Sequence, residues 1–214
     1  MKKTLIAAAL MVCAGSAFAD PTAVLQVQGK LTNASCTPEL SNGGEVDYGY
    51  IHLTTLSPTA VNLIGKRSLD LTINCTVATK VAWTANDNRS DSNAKVKVDY
   101  VAEDYYQFGV GKTDAGVNIG DYTLMIESDS VVDGATVRTI GRNASGDNWK
   151  KMSGLRSDGV TSLTVANEDS LEPLAFKTAI IPLTTTLAIQ GTDTLAITDD
   201  TNIDGQATIT LRYL

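Results

Sequence analysis

Few side chains in this sequence are of the kinds that do covalent or metal chemistry. The cysteines are Cys13, Cys36 and Cys75, and His52 is the sole histidine. A Ser-His-Asp hydrolase would need His52 as its base, and no G-x-S-x-G turn is present to present a nucleophile. A metal pair built on Cys36 and Cys75 is short of ligands for the same reason. Gly109-Val110-Gly111-Lys112-Thr113 resembles the end of a phosphate-binding loop. The full motif, however, wants a glycine where Tyr106 stands, and a helix after it. The chain instead runs on through turn material: Asp114, Gly116, Gly120 and Asp121. The carboxylate pairs Glu103-Asp104 and Asp199-Asp200 sit in polar, loop-like context and read as solvated surface. The residue types therefore argue against an enzyme: no catalytic residue, metal ligand or cofactor is assigned.

What remains is thiol chemistry, and its form depends on the compartment. Lys2 and Lys3 precede an apolar run from Leu5 to Val12, and Ala17-Phe18-Ala19 offers a small-residue cleavage site before Asp20. Residues 1–19 thus read as a secretory signal peptide, too short for a membrane span, with a mature chain of Asp20 to Leu214. Cys13 leaves with the signal. In an oxidising compartment Cys36 and Cys75 read first as a structural disulfide, with a metal pair or a redox pair as alternatives. Closing a loop of about 40 residues would stabilise the fold by roughly 4 kcal/mol on the chain-entropy model. Taking Lys2 and Lys3 from the 17 basic residues leaves 15 against 24 acidic ones, a formal charge of −9. That sign speaks against nucleic acid and anionic lipid as partners, and no apolar run after the signal is long enough for membrane insertion.

The elements that must carry these residues read as strands. No stretch after residue 19 sustains apolar residues at i, i+3, i+4 and i+7. Short alternating runs recur instead, separated by Gly, Asn, Asp and Ser. They fall at Val24 to Thr32, Ser68 to Trp83 (two runs broken at Lys80), Lys95 to Val101 and Tyr122 to Glu127. Further runs lie at Ala135 to Ile140, Val160 to Val165, Leu174 to Ile181 and Thr185 to Ile189. Many short strands between polar turns predict an all-β sandwich or barrel, with no linker that divides it. The last run, Gln206 to Leu214, alternates Ala207, Ile209, Leu211 and Tyr213 with polar residues. A strand in that position must pair on both sides, lie at a protected edge or wait for a partner. One aromatic-polar cluster, Asp147-Asn148-Trp149, has the composition on which sugars stack.

Four short motifs, in order behind a signal peptide, carry a resemblance. Gly29-Lys30-Leu31 leads through Asn33 to Cys36; Val46-Asp47-Tyr48-Gly49-Tyr50-Ile51 comes second; then come Leu71-x-Ile73-x-Cys75 and the alternating C-terminal run with a penultimate tyrosine. In this the sequence resembles subunits of chaperone–usher fimbriae, and its Tyr-Leu ending and long middle are similar to a less characterised fimbria-like branch. The likeness covers both ends of the mature chain, while residues from Tyr100 to Thr192 match only as generic β structure. The family's glycine fourteenth from the end is replaced by Thr201, with Gly205 the nearest.

The resemblance implies an immunoglobulin-like β-sandwich lacking its last strand, with one disulfide, over residues 29–214. It implies that residues 20–28 form an extension whose Ala23, Leu25 and Val27, followed by Gly29, donate a strand to a neighbour. Ala207, Ile209, Leu211 and Tyr213 would line the groove that accepts one. The implied partners are a periplasmic chaperone, an outer-membrane usher and neighbouring fimbrial subunits, in a structural subunit exported through the periplasm to a fimbrium on the cell surface. Two rival expectations are an adhesin that binds a glycan or host protein, and a free-standing secreted sandwich with a complete fold.

Overall fold

A computed structural model describes residues 34–144 and 146–214. The candidate donor residues Ala23, Leu25, Val27 and Gly29, the signal segment, and the motif residues Leu31 and Asn33 lie outside the described residues. Eleven strands and one short helix are present among those described. The strands are β1 (Cys36–Leu40), β2 (Asn62–Thr79), β3 (Val81–Asp87), β4 (Gln107–Gly109), β5 (Gly120–Met125), β6 (Ser130–Val132), β7 (Ala135–Arg142), β8 (Lys150–Lys151), β9 (Ser162–Ala166), β10 (Phe176–Ile189) and β11 (Ala207–Tyr213).

The alternation read from the sequence drives their arrangement into two sheets. In the first, β1 pairs with β2 and β2 with β10; the far side of β10 is shared by β5 and β6. In the second, β11 pairs with β3, β3 with β9, β9 with β7 and β7 with β8. All these pairs are antiparallel. Side chains of alternate residues on the two inner faces meet in one core, in which Leu71, Ile73, Trp83, Phe108, Leu163, Phe176, Ile181 and Leu183 are fully buried. The expected all-β sandwich with one disulfide is the observed fold. Its strand order is the immunoglobulin-like one: β1, β2, β10 and β5 stand where A, B, E and D do, and β3 and β11 where C and F do. Among the described residues no strand lies beyond β11, where a seventh would be expected.

A two-residue turn joins the sheets. Asp133 and Gly134 both take positive φ, 47° and 87°, as a type I′ hairpin requires, and β6 and β7 pair directly across it. Through this hairpin the first sheet continues into the second.

Two local expectations differ from the structure. The separate runs at Leu174 to Ile181 and Thr185 to Ile189 are one strand, β10, running through Pro182. Pro182 lies where the far side of β10 changes partner, between its pairing with β6 at Ile180 and with β5 at Thr184. A strand tolerates a missing ladder donor at such an interruption. The run at Lys95 to Val101 is not a strand. Lys95 and Asp99 have positive φ, and Val98 and Val101 bond to each other at 3.0 and 2.9 Å in a tight reversal. Its apolar residues Val96 and Val98 are buried against Ala188 all the same. The segment is held by a carboxylate rather than a ladder: Asp121 accepts the N–H groups of Ala94 and Val96, each at 2.9 Å.

Candidate functional site, a groove beside the last strand

Cys36 and Cys75 lie directly opposite each other on β1 and β2 and form a disulfide, with their Cα atoms 4.0 Å apart. The neighbouring pair Ser35–Thr76 carries the hydrogen bond, Thr76 N–H to Ser35 C=O at 2.9 Å. Antiparallel ladders alternate, so Cys36–Cys75 is a closer, non-bonded pair and the Cys36 N–H points away from β2. Of the chemistries open to these thiols, the disulfide is the one realised.

The same reasoning orients the other edge. Asn88 N–H bonds Gln206 C=O at 2.9 Å and Leu214 N–H bonds Lys80 C=O at 3.1 Å, in register with the β3–β11 pairing. By alternation Thr208, Thr210 and Arg212 direct their backbone groups toward β3. Ala207, Ile209, Leu211 and Tyr213 direct theirs toward the open side, where they meet no partner among the described residues. Their side chains point the other way from the polar set: Ala207, Ile209 and Leu211 are half-buried and pack against the core.

Between this free edge and β1 the two sheets gape. A groove of about 330 Å³ opens there. One wall is the end of β1 and the segment after it, at Leu40, Gly44, Val46 and Tyr48; the other is Ile203, Gly205, Ala207 and Ile209. The floor is the inner face of the first sheet, at Leu69 of β2, Tyr122 and Leu124 of β5, and Leu183 and Leu187 of β10. Its depth comes from small residues on the β11 side. A Cβ at Gly205 would stand 3.0 Å from Tyr122 Cε1, and Ala207 adds only a methyl group.

The walls are fixed by polar contacts outside the apolar floor. The Tyr48 and Thr185 hydroxyls lie 2.9 Å apart, and the Arg67 guanidinium lies over the Tyr48 ring at 5.1 Å. Burial pushes the Tyr48 hydroxyl up, and pushes Tyr122, stacked on Phe108 at 5.1 Å, up as well. The segment that enters β11 is clamped by a charged cluster. The Arg89 guanidinium donates two bonds to Asp204, at 2.9 and 3.1 Å, and Asp204 N–H bonds Val110 C=O. Asp87, raised mainly by burial, accepts the N–H groups of Gly109 and Arg89. The result is an apolar slot beside a row of backbone groups that have no partner among the described residues, a geometry that an extended strand with alternating apolar side chains can fill.

Sequence reasoning names all four groove residues on β11, but the structure divides them. Ala207 and Ile209 line the open slot. Leu211 packs against the core cluster, and Tyr213 reaches across to β1, where the Cys36 N–H donates to its hydroxyl at 2.9 Å. Val46 and Tyr48 stand out in the sequence for a motif, and only the structure gives them a place in the wall. The other candidates fall away from the groove. His52 is exposed and precedes a single 3₁₀ turn. The Gly109–Thr113 stretch is a strand end and turn, in which Lys112 pairs with Asp91 at 3.0 Å. Trp149 is half-buried with the Arg142 guanidinium 4.5 Å from its ring centre.

Residues 25–123 match the model of a family described as a protein of unknown function, DUF1120. That span runs from before β1 through Cys36, Cys75 and the floor strand β5 as far as Thr123. Two Escherichia coli (strain K12) proteins are similar over nearly the whole length. "Uncharacterized protein YhcF" is 29% identical, with 95% of this chain and 98% of that protein covered. "Protein GltF" is also 29% identical, with 98% of this chain and 96% of that protein covered. Among the described residues no helix is long and apolar enough to cross a membrane.

Proposed function

We propose that this protein is a structural, non-enzymatic subunit of a surface fimbria, assembled by strand donation. The observation that carries the reading is the groove along β11, apolar on its floor and lined on one edge by backbone N–H and C=O groups that have no partner among the described residues. An exposed strand edge above an apolar slot is an association liability unless a strand covers it. On this reading a periplasmic chaperone lends a strand first, and residues 20–28 of the next subunit replace it at the outer-membrane usher. Backbone bonds to Ala207, Ile209 and Leu211 give affinity, and alternate side chains of the donor, Ala23, Leu25 and Val27, give specificity. The resemblance at both ends of the mature chain and the position of Cys36–Cys75 support the same assignment.

Deleting residues 20–28 separates the two halves of the proposal. The truncated protein is expected to co-purify with its chaperone as the full chain does, yet to be absent from fibres. Truncated subunits entering fibres at the normal rate would refute it. A full chain that is a stable monomer, free of any chaperone and unchanged by added donor peptide, would favour the free-standing sandwich instead.

A further inference from the structure

A second cavity lies away from the groove, on the other side of β5. Leu124 and Ile126 belong to the core between the sheets, so Met125 between them faces outward. There it stands opposite Gly154, with Ile126 N–H bonded to Ser153 C=O at 2.8 Å and Leu155 N–H to Leu124 C=O at 3.1 Å. Over this pairing Met125, Met152, Gly154, Tyr100, Tyr106 and Glu103 line a cavity of about 320 Å³, the scale of a small-molecule site. A Cβ at Gly154 would stand 3.0 Å from Tyr106 Cε1 and 3.1 Å from Met125 Sδ, so the glycine lets ring and thioether lie directly on the backbone. Tyr106 N–H bonds Glu103 C=O at 3.0 Å, which holds ring and carboxylate on one turn, and Tyr100 sits in the tight reversal between Val98 and Val101. Of the four methionines in the sequence, the two beyond residue 19 both line this cavity.

The lining is one-sided in charge. Tyr100 and Tyr105 already have a basic group of the chain near the ring, Lys66 Nζ at 5.9 Å and the Arg156 guanidinium at 4.3 Å from the ring centres. Tyr106 has none among the described residues. Glu103 enters no ion pair among them either, although its neighbour Asp104 pairs with Lys95 at 3.8 Å. Burial pushes the Tyr106 hydroxyl up, and Tyr105 and Glu103 add to the rise, so the carboxylate is within electrostatic reach of that ring. Among the described residues no lysine, arginine or histidine lines the cavity.

We infer that this cavity is a binding site for a small quaternary ammonium cation of the choline type, with the Tyr106 ring as its face and Glu103 as its counter-charge. An aromatic ring attracts a cation through its quadrupole, the more so where water is displaced. The thioethers of Met125 and Met152 are soft, adaptable walls that a methylated cation can pack against. A bare ammonium fits worse: it brings three N–H donors, and the apolar walls leave them short of acceptors, whereas a trimethylammonium group has no N–H to satisfy. The cavity shares no residue with the groove beside β11, so a ligand here leaves the open edge free. The inference therefore stands or falls apart from the fimbrial reading.

The test titrates the chain of residues 20–214, isotope-labelled at the methionine methyl groups, and follows Met125 and Met152 by NMR. Three probes are compared: choline, its uncharged isostere with a tert-butyl group in place of trimethylammonium, and ethanolamine, which keeps a charge without the methyls. Choline should shift both methyl signals and bind about fivefold tighter than either of the others. Glu103→Gln, at an exposed side chain, should weaken choline about fivefold and leave the uncharged isostere unchanged. Tyr106→Leu should weaken choline by a similar factor, while Tyr106→Phe, which keeps the ring, retains it; methyl spectra of the free variants matching the wild type show that they fold. Phosphatidylcholine vesicles in a separate arm tell a free ligand from a lipid headgroup, since only the latter makes the chain sediment with them. Equal binding by choline and the uncharged isostere would reduce the cavity to an apolar hole and overturn the assignment. An unchanged choline affinity in Glu103→Gln would remove the counter-charge. Choline that moves neither methyl signal, or vesicle binding without choline shifts, removes the site.

Discussion

Ala207 illustrates how much a single methyl group decides. It faces the slot from the β11 side, over Leu183 and Leu124, where a larger residue would find space already present. Ala207→Leu should therefore fill the groove from within. Its expected effect on stability is small, within about 1.5 kcal/mol in urea unfolding because the added atoms enter an existing cavity, while donor-peptide affinity falls at least tenfold by anisotropy. Asp121 is a different case. Its carboxylate is fully buried and satisfied by two backbone N–H groups, and burial pushes its pKa up to about 6, with Asp87 and Asp104 adding to the rise. A folded-state pKa above the unfolded value of about 3.9 means the folded chain holds the proton more tightly. The stabilisation from that proton is complete below about pH 4 and is lost as pH rises through about 6. Relative to Asp121→Asn, which cannot ionise, the wild type should lose stability over that interval; denaturant midpoints measured from about pH 4 to about pH 7 on both proteins check the sign. A difference that is flat across the interval would exclude the assignment.

At the scale of elements, β1 is a short strand that depends on cross-links. It is five residues long, has one neighbour among the described residues, and is tied at its first residue by the disulfide to β2 and by the Tyr213 contact to β11. Replacing Cys36 and Cys75 with Ala should cost about 2–5 kcal/mol in urea unfolding, the range for a native disulfide in a small secreted domain. A loss under about 1 kcal/mol would mean that β1 is held mainly by its ladder. The strands are legible in the sequence wherever one face is buried and the other wet, as in β2, β7 and β11, because the pleat then writes period two into the residue types. The exceptions have physical causes. Lys95 to Val101 alternates because Val96 and Val98 cover Ala188, but positive φ at Lys95 and Asp99 and the carboxylate of Asp121 replace the ladder it would need. β10 reads as two runs because Pro182 interrupts the pattern, and only the change of partner beside it explains why the strand survives. The open edge is legible through β11. The opposite wall at Val46 and Tyr48 and the bridge from Tyr213 to Cys36 are not, since each depends on contacts between residues far apart in the chain.

For the molecule as a whole, the two sheets have complementary weaknesses on one side: β11 has no neighbour on its outer edge among the described residues, and β1 is blunted by Pro38. Deletion of residues 20–28 tests that asymmetry at the level of assembly, since a chain without the extension keeps its groove and loses what it would offer to the next copy. If strand donation by a chaperone is the mode of assembly, the same deletion should leave the unfolding transition of the complex unchanged, measured by thermal melting, because among the described residues the core between the sheets draws on Cys36 and the residues after it.

The position of the disulfide also sets how the molecule would carry tension. A pull on the chain before Cys36 passes through the sulfurs into β2 rather than along β1, so the β1–β2 hydrogen bonds are bypassed. β2 is gripped by β10 along most of its 18 residues, from Asn62 to Thr79, and that long antiparallel ladder would be loaded in shear, every bond at once, instead of being peeled open singly. One covalent cross-link thus delivers axial force to the most extensively bonded pair of strands among the described residues.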